Sequence, residues 1–359
     1  MPKTIFNREK PHLTGNWTMK KLLILGGSQQ IGRRLIEHLL ATADQRYQIH
    51  TFNRGQTNPD LLKRDGVKKI IGDRNTDDIE KILNRDWDVI LDCSCYDPIP
   101  LKKLLSKIKG RVGRYVFIST ISVYDYQKNI KLNGLIPEGF KLLDFTEAQI
   151  REEGYKCYGE KKVAAEKYLL DTDIDSIIFR PHFIYGRYDW QNLDYYWINR
   201  IQQYQEILVP GGKDLIHRTY IEDLVACLME SFDLTQHQGI YNIATHQPLS
   251  INDYVEQLAQ ILDKKVTFTS VNSEKLLAHG VRPILDLPLW SNGSHFIFST
   301  KRLATDFTSH FPGHYQSLED TVKWNQEIEH WTHGKSKWEA GRLGLSREKE
   351  TEMLRSTSK

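Results

Sequence analysis

From Met19 onward, apolar positions fall into two alternating rhythms. Short β-rich runs at Leu22 to Leu25, Tyr47 to Phe52, Val67 to Ile71, Val89 to Asp92, Tyr115 to Ser119 and Ser176 to Arg180 predict strands. Between them apolar residues recur at helical spacing, as in Leu35, Ile36, Leu39 and Leu40, and again over 79–83, 101–108 and 158–170. Strands alternating with helices predict an α/β fold with a doubly wound parallel sheet. Ligand crevices in such sheets lie beyond the carboxyl ends of the strands, where the loops after Leu25, Phe52, Asp92, Ser119 and Arg180 fall.

After Pro181 the chain grows aromatic (Phe183, Tyr185, Tyr188, Trp190), turns at Pro210-Gly211-Gly212, and offers another strand–helix pair from Arg218 to Phe232. The expected organisation is a flexible extension at 1–18 and a first domain at 19–180 with a later contribution from about 219–247. A smaller interleaved domain follows at 181–335, and a charged tail at 336–359 reads as exposed helix or disorder.

Composition narrows the class. The 359 residues are 40% hydrophobic and 26% charged, as in an ordinary globular protein. With 49 basic and 46 acidic side chains the net charge is +3, too even to argue for nucleic acid or a membrane surface. Four cysteines, Cys93, Cys95, Cys157 and Cys227, form no C-x-x-C pair, which predicts free thiols in a reducing cytoplasm and no metal site. No stretch approaches the roughly 18 apolar residues of a membrane span, and the first residues lack the apolar core of a signal peptide.

The run Lys20 to Gly32 reads as strand, glycine turn and helix start. Gly26 and Gly27 allow a sharp turn and close backbone approach, Gly32 allows helix and strand to pack, and the free N–H groups around Ser28, Gln29, Gln30 and Ile31 suit a phosphate. Gln29 stands where a middle glycine is usual, and the same run also fits an ordinary strand-to-helix turn.

Tyr158 and Lys162 stand four apart, on one helical face. A phenol titrating near ~10 serves as a base at neutral pH only if a cation stabilises the phenolate, and a lysine one turn away can do so while also bonding a ribose. Lys161, at a spacing of three, meets that face less well; a surface pair on an amphipathic helix would show the same pattern. Thr120 and Ser122, just past a buried strand, can polarise a carbonyl there or simply satisfy loop backbone. His182 and His217 read as packing histidines, and Cys157 as structural.

In order along about 19–329, these motifs resemble the extended, NAD(P)-dependent epimerase/dehydratase branch of the short-chain dehydrogenase/reductase superfamily. They also resemble an atypical subgroup that contains the chloroplast stem-loop RNA-binding proteins. Further carriers are Phe52-Asn53-Arg54-Gly55, Gly72-Asp73-Arg74, Arg180-Pro181-His182-Phe183-Ile184-Tyr185-Gly186 and Asp286-Leu287-Pro288-Leu289-Trp290. The resemblance implies a Rossmann-type sheet in the first domain and a substrate-binding second domain. It makes Tyr158 the acid/base, Lys162 its activator and ribose ligand, and Thr120 the polarising hydroxyl with Ser122 as alternative. Asp73 would bond the adenine, and Arg74, Cys93, Ser94, Pro181 and Ile184 would also border the cofactor.

An NAD enzyme normally carries an acidic residue at the end of its second strand. Asn53 stands there, followed by Arg54, with Arg33 and Arg34 near the glycine turn, which points to NADP with NAD as the alternative. Ile121-Ser122 replaces the Asp-Glu of the family's dehydratases, which disfavours sugar dehydration. Ile216 stands where nucleotide-sugar enzymes tend to carry an arginine; Arg218 or Lys213 could substitute. The expected function is hydride transfer at a carbinol or carbonyl carbon of a small polar, sugar-nucleotide-like substrate. An RNA-binding or regulatory protein on the same fold is the alternative, and the family's long helices are compatible with a homodimer.

Overall fold

The computed structural model describes residues 19–357 apart from 43, 45, 59–63, 126–134, 213, 234–237, 245–246, 293–296, 310 and 328–343. The expected extension at 1–18, Lys213 and the start of the expected tail lie outside the described residues. The first half runs β1 (Lys20–Leu25), α1 (Gln30–Ala41), β2 (Tyr47–Asn53), β3 (Val67–Ile71), β4 (Trp87–Asp92), α2 (Pro98–Ile108), β5 (Val112–Ile118), α3 (Glu147–Ile150), α4 (Tyr158–Leu170) and β6 (Ser176–Pro181). It continues with α5 (Leu193–Gln203), β7 (Glu206–Gly211), β8 (Leu215–Ile216), α6 (Ile221–Ser231), β9 (Gly239–Ile243), β10 (Leu249–Ser250) and α7 (Ile251–Ile261). Last come β11 (Thr267–Asn272), α8 (Ser273–Ala278), α9 (Lys301–Asp306), α10 (His314–Glu327) and α11 (Arg347–Thr357).

Seven parallel strands form one sheet in the order β3-β2-β1-β4-β5-β6-β9. Alternation along each strand serves both faces. Leu22 and Ile24 of β1 pack with Leu35, Ile36 and Leu39 of α1 and Leu224 and Leu228 of α6. Leu23 and Leu25 face the other way, toward Leu101, Leu104 and Leu105 of α2 and Ala165 and Leu169 of α4. Strand order reverses between β1 and β4, whose last residues Leu25 and Asp92 are partners in register. That switch point is where the crevice of a doubly wound sheet opens.

The second lobe has its own core around Trp197, Ile201, Ile207, Val255, Leu258 and Trp290, and Ile31 beside the glycine turn packs against it. The lobes interleave, because α6 and β9 return to the large sheet from within the second half. The helix expected at 79–83 is a 3₁₀ turn at Asp77–Ile82, and residues 219–221 form a single bridge, Tyr220 to Tyr185, rather than a strand. No described helix is long and apolar enough to cross a membrane.

The end of the chain departs from the expected exposed tail. Leu345, Met353 and Leu354 enter the second core, and Glu350 is fully buried. Its carboxylate receives Arg200 at 2.7 Å, Arg347 at 2.9 Å and the Leu208 backbone N–H at 3.0 Å. Charge composition misled here because Glu350, Arg347 and Lys349 of α11 are partnered by distant residues.

Candidate active site

The glycine turn is built by close contacts. Gly26 has φ +94°, and a Cβ there would stand 2.6 Å from the Cβ of Ser94 in the loop after β4. A Cβ on Gly32 would stand 2.6 Å from the Cα of Gly27, so α1 rests directly on the turn. Asn58, from the loop after β2, donates through Nδ2 to the Ser28 carbonyl at 2.8 Å and ties the two loops together. The Gln29 side chain does not cap α1 and the first turn carries no acid, which leaves N-terminal N–H groups available to an anion. Gln29 lines the cavity in front of this turn without closing it.

Two cavities follow one another along the strand ends. The first, about 230 Å³, lies before Gly26, Gln29, Asn53, Arg54 and Asp73. The second, about 370 Å³, lies before Thr120, Ser122, Tyr158, Lys162 and, on the other wall, His182 and Asp189. The fold thus brings together both ends of the site expected from sequence. Pro181, Ile184, Gln30 and Ile31 border the second cavity, and Cys93 borders it from below.

Tyr158 opens α4, and Lys162 lies one turn on, buried. The Lys162 ammonium donates to the Ile118 carbonyl at 2.8 Å and sits 5.9 Å from the centroid of the Tyr158 ring. The next turn carries Glu166, which holds Arg180 of β6 in a buried pair (Arg180 Nε to Glu166 Oε1, 2.9 Å), so the rotation of α4 against the sheet is set. Lys161 instead donates to the carbonyls of Glu152 and Gly154, closing the loop before α4. Thr120 receives the Ser122 N–H at 3.2 Å and lies 3.3 Å from the Ser122 hydroxyl. Beside them, the buried Ser119 hydroxyl has no partner among the described residues.

At the other end, the cations expected near the glycine turn divide. Arg33 pairs with Glu37 at 3.1 Å and covers the Tyr188 ring, Arg34 pairs with Glu222, and neither lines the cleft. Arg74 does line it, but grips Asp92 with both arms at 2.7 and 2.9 Å. Arg54 is exposed on the cavity rim. Asp73 accepts the Asn75 N–H at 2.9 Å, and the Ser94 hydroxyl accepts from Arg74. Burial pushes the Cys95 thiol up to about 11 and Cys93 higher still, which keeps both as inert thiols.

Asn53 is the most specific element of that end. Its Oδ1 accepts the Gly55 N–H at 2.9 Å, and since a backbone N–H can bond only the oxygen, the amide orientation is determined. Its Nδ2 is therefore a donor, buried and without a partner among the described residues, in a side chain that lines the cavity.

The second lobe closes the far wall. His182 is held between Phe183 and Phe298, and burial, with His217 adjacent, lowers it to about 3, so it is neutral. Its Nδ1 has no partner among the described residues; His217 Nδ1 accepts the Phe298 N–H at 3.1 Å. Arg218 is committed to Asp194 at 2.8 and 3.1 Å beneath the Tyr185 ring. Asp189, with burial and Asp194 acting on it, is raised to about 7. Asp189, Asn58 and Tyr96 escaped the sequence reading, because nothing in their local sequence marks them and only the folded cleft collects them.

Fold and cleft together define an α/β protein with a doubly wound parallel sheet and a crevice at its strand ends. Residues 101–244 match the model described as the NAD dependent epimerase/dehydratase family. No curated protein sequence matches it. Among solved structures it is similar to UDP-glucuronic acid 4-epimerase from Bacillus cereus in complex with NAD (18% identity, TM-score 0.63, 86% of this chain and 99% of that one). It is also similar to dTDP-glucose 4,6-dehydratase from Bacillus anthracis in complex with NAD (18%, 0.65, 88% and 98%). A third likeness is to the Bordetella bronchiseptica enzyme WbmG in complex with NAD (15%, 0.66, 90% and 100%). At these identities the likeness speaks to the fold.

Proposed function

We propose that this chain is an NADP(H)-dependent oxidoreductase or epimerase acting at a carbinol carbon of a small polar substrate. The observation that carries this reading is the cleft itself. An uncapped helix and glycine turn stand at one end, and Tyr158 and Lys162 stand beside Thr120 and Ser122 at the other. These residues fit a dinucleotide: the turn and α1 N–H groups suit the pyrophosphate, Lys162 has ammonium hydrogens beyond the one bonded to Ile118, and Asn53 and Arg54 meet the adenosine end. A bound nicotinamide supplies the hydride acceptor and donor.

Tyr158 moves the proton of the carbinol oxygen, as acid in one direction and base in the other. The Lys162 ammonium stabilises the phenolate left when that proton departs. Thr120 or Ser122 donates a hydrogen bond to the substrate oxygen. The unpartnered Asn53 donor, with no acidic group at that position, supports NADP over NAD, because a phosphate oxygen accepts where a carboxylate would repel. The neighbours' substrates, UDP-glucuronic acid among them, make sugar nucleotides the first class to test. Ile121-Ser122 in place of the dehydratases' Asp-Glu argues for redox or epimerisation over 4,6-dehydration.

Titration of the protein with NADPH and NADH tests the cofactor, with NADPH expected to bind more tightly. Tyr158→Phe tests the chemistry: turnover should fall by roughly 10²–10⁴ while dinucleotide affinity stays near that of the wild type. Undiminished turnover would remove Tyr158 from the mechanism.

A further inference from the structure

Three tyrosines from two separate loops and a helix meet over the mouth of the cleft. Tyr96, in the loop between β4 and α2, places its ring edge-on to Tyr155 (centroids 5.6 Å apart, interplanar angle 78°) and 6.4 Å from the ring of Tyr158. Tyr155 lies 6.4 Å from Tyr158 in turn, and the Lys162 ammonium is 5.8 Å from the Tyr96 ring. Among the described residues bordering the two cavities, Tyr96 alone borders both.

That position has a consequence for any ligand long enough to occupy both cavities. A dinucleotide is one covalent molecule, so its linkage must pass the Tyr96 ring. The backbone around that ring is held: the Tyr96 N–H reaches the Ser94 carbonyl at 3.1 Å, and Asp97 caps α2 by accepting the Ile99 N–H at 2.9 Å, with Pro98 at the helix start. The side chain is free by comparison. It is 44% exposed, its hydroxyl bonds to no described residue, and its ring neighbours are other exposed or half-buried rings, Tyr155 being 69% exposed. A firmly held backbone carrying a ring that meets only two other rings and the Lys162 ammonium leaves that ring able to swing about its side-chain torsions.

We infer that Tyr96 is a positioning residue for the cofactor: its ring parts from Tyr155 to admit the dinucleotide and then packs on the nicotinamide half, holding that half at Tyr158 and Lys162. The inference rests on the reading of the cleft as a dinucleotide site. It assigns the ring, and not the hydroxyl, the work. It also assigns the effect to one half of the ligand, because the glycine turn, Asn53 and Arg54 hold the adenosine end independently.

The experiment compares wild type, Tyr96→Ala and Tyr96→Phe for binding of NADPH, followed by nicotinamide fluorescence, and of adenosine 2′,5′-bisphosphate, which carries the adenine end alone. Tyr96→Ala should bind the bisphosphate as wild type does but NADPH about tenfold more weakly, the scale of one lost base-to-aromatic stack, with faster dissociation. Tyr96→Phe should restore NADPH binding. Equal NADPH affinity and dissociation rate in Tyr96→Ala and wild type would overturn the assignment, as would a loss of both ligands together. If wild-type protein bound neither NADPH nor the bisphosphate, the dinucleotide reading itself would fall, a result distinct from either.

Discussion

Gly159 lies so close to Ser122 that a methyl group on its α-carbon would stand 2.4 Å from the Ser122 carbonyl oxygen, and 2.6 Å from Cδ1 of Leu143. The start of α4 is therefore pressed onto the turn that follows β5, which is how Tyr158 comes to share a cavity with Thr120 and Ser122. Gly159→Ala should force α4 outward, because a backbone carbonyl cannot swing aside as a side chain would. The expected cost is about 1–3 kcal/mol of stability. Turnover should fall further than dinucleotide affinity, read by thermal denaturation, kcat and Kd on the same preparation. Normal kcat would show that this spacing is not needed for the reaction.

Asn53→Asp replaces the unpartnered donor of Nδ2 with a carboxylate at the adenosine end. NADPH should bind at least about tenfold more weakly and NADH no worse, since a carboxylate accepts from a ribose hydroxyl and repels a 2′-phosphate. Parallel titrations with both nucleotides check this. A variant that still prefers NADPH would shift the discrimination to Arg54.

Asp223 of α6 is buried with both carboxylate oxygens unpartnered among the described residues, and burial with Glu222 beside it raises the group to about 8. In the unfolded chain it titrates near ~3.9, so between the two values the folded state holds a proton that the unfolded state has lost. Stability must then fall as pH rises through that window. Asp223→Asn mimics the protonated acid. Its melting temperature relative to wild type should rise steadily from about pH 5 to about pH 8, the range over which the native carboxyl retains its proton against the solvent. A difference that is flat with pH would mean the native carboxyl is already ionised.

The buried Glu350 balances Arg200 and receives Arg347 and the Leu208 N–H. Glu350→Ala should destabilise the protein by about 3–5 kcal/mol, because it strands Arg200 in a nearly water-free site. Denaturant unfolding measures this. A loss below about 1 kcal/mol would place α11 among exposed, weakly attached segments.

Much of this architecture was legible in the chain. The alternation of Leu22 and Ile24 against Leu23 and Leu25 is a property of neighbouring residues, as is the helical spacing of Leu35, Ile36 and Leu39. The same holds for the glycine turn and for the placement of Tyr158 and Lys162 on one face. Where the reading stopped, long-range pairing had taken over. Arg33 and Arg34 looked available to a phosphate until α1 met α6 and Tyr188. Arg218 looked free until it met Asp194, and the charged end looked exposed until Glu350 met Arg200.

The sequence by itself determined the order of strands and helices and the chemical groups available at the strand ends, because hydrophobic period and turn chemistry act over a few residues. Only the tertiary structure decided that Arg34, Arg74 and Arg218 were already neutralised, and that Tyr96 stands between the two cavities. Those outcomes depend on partners tens to hundreds of residues away, and an ion pair or a cavity wall exists only once the sheet has brought its members together.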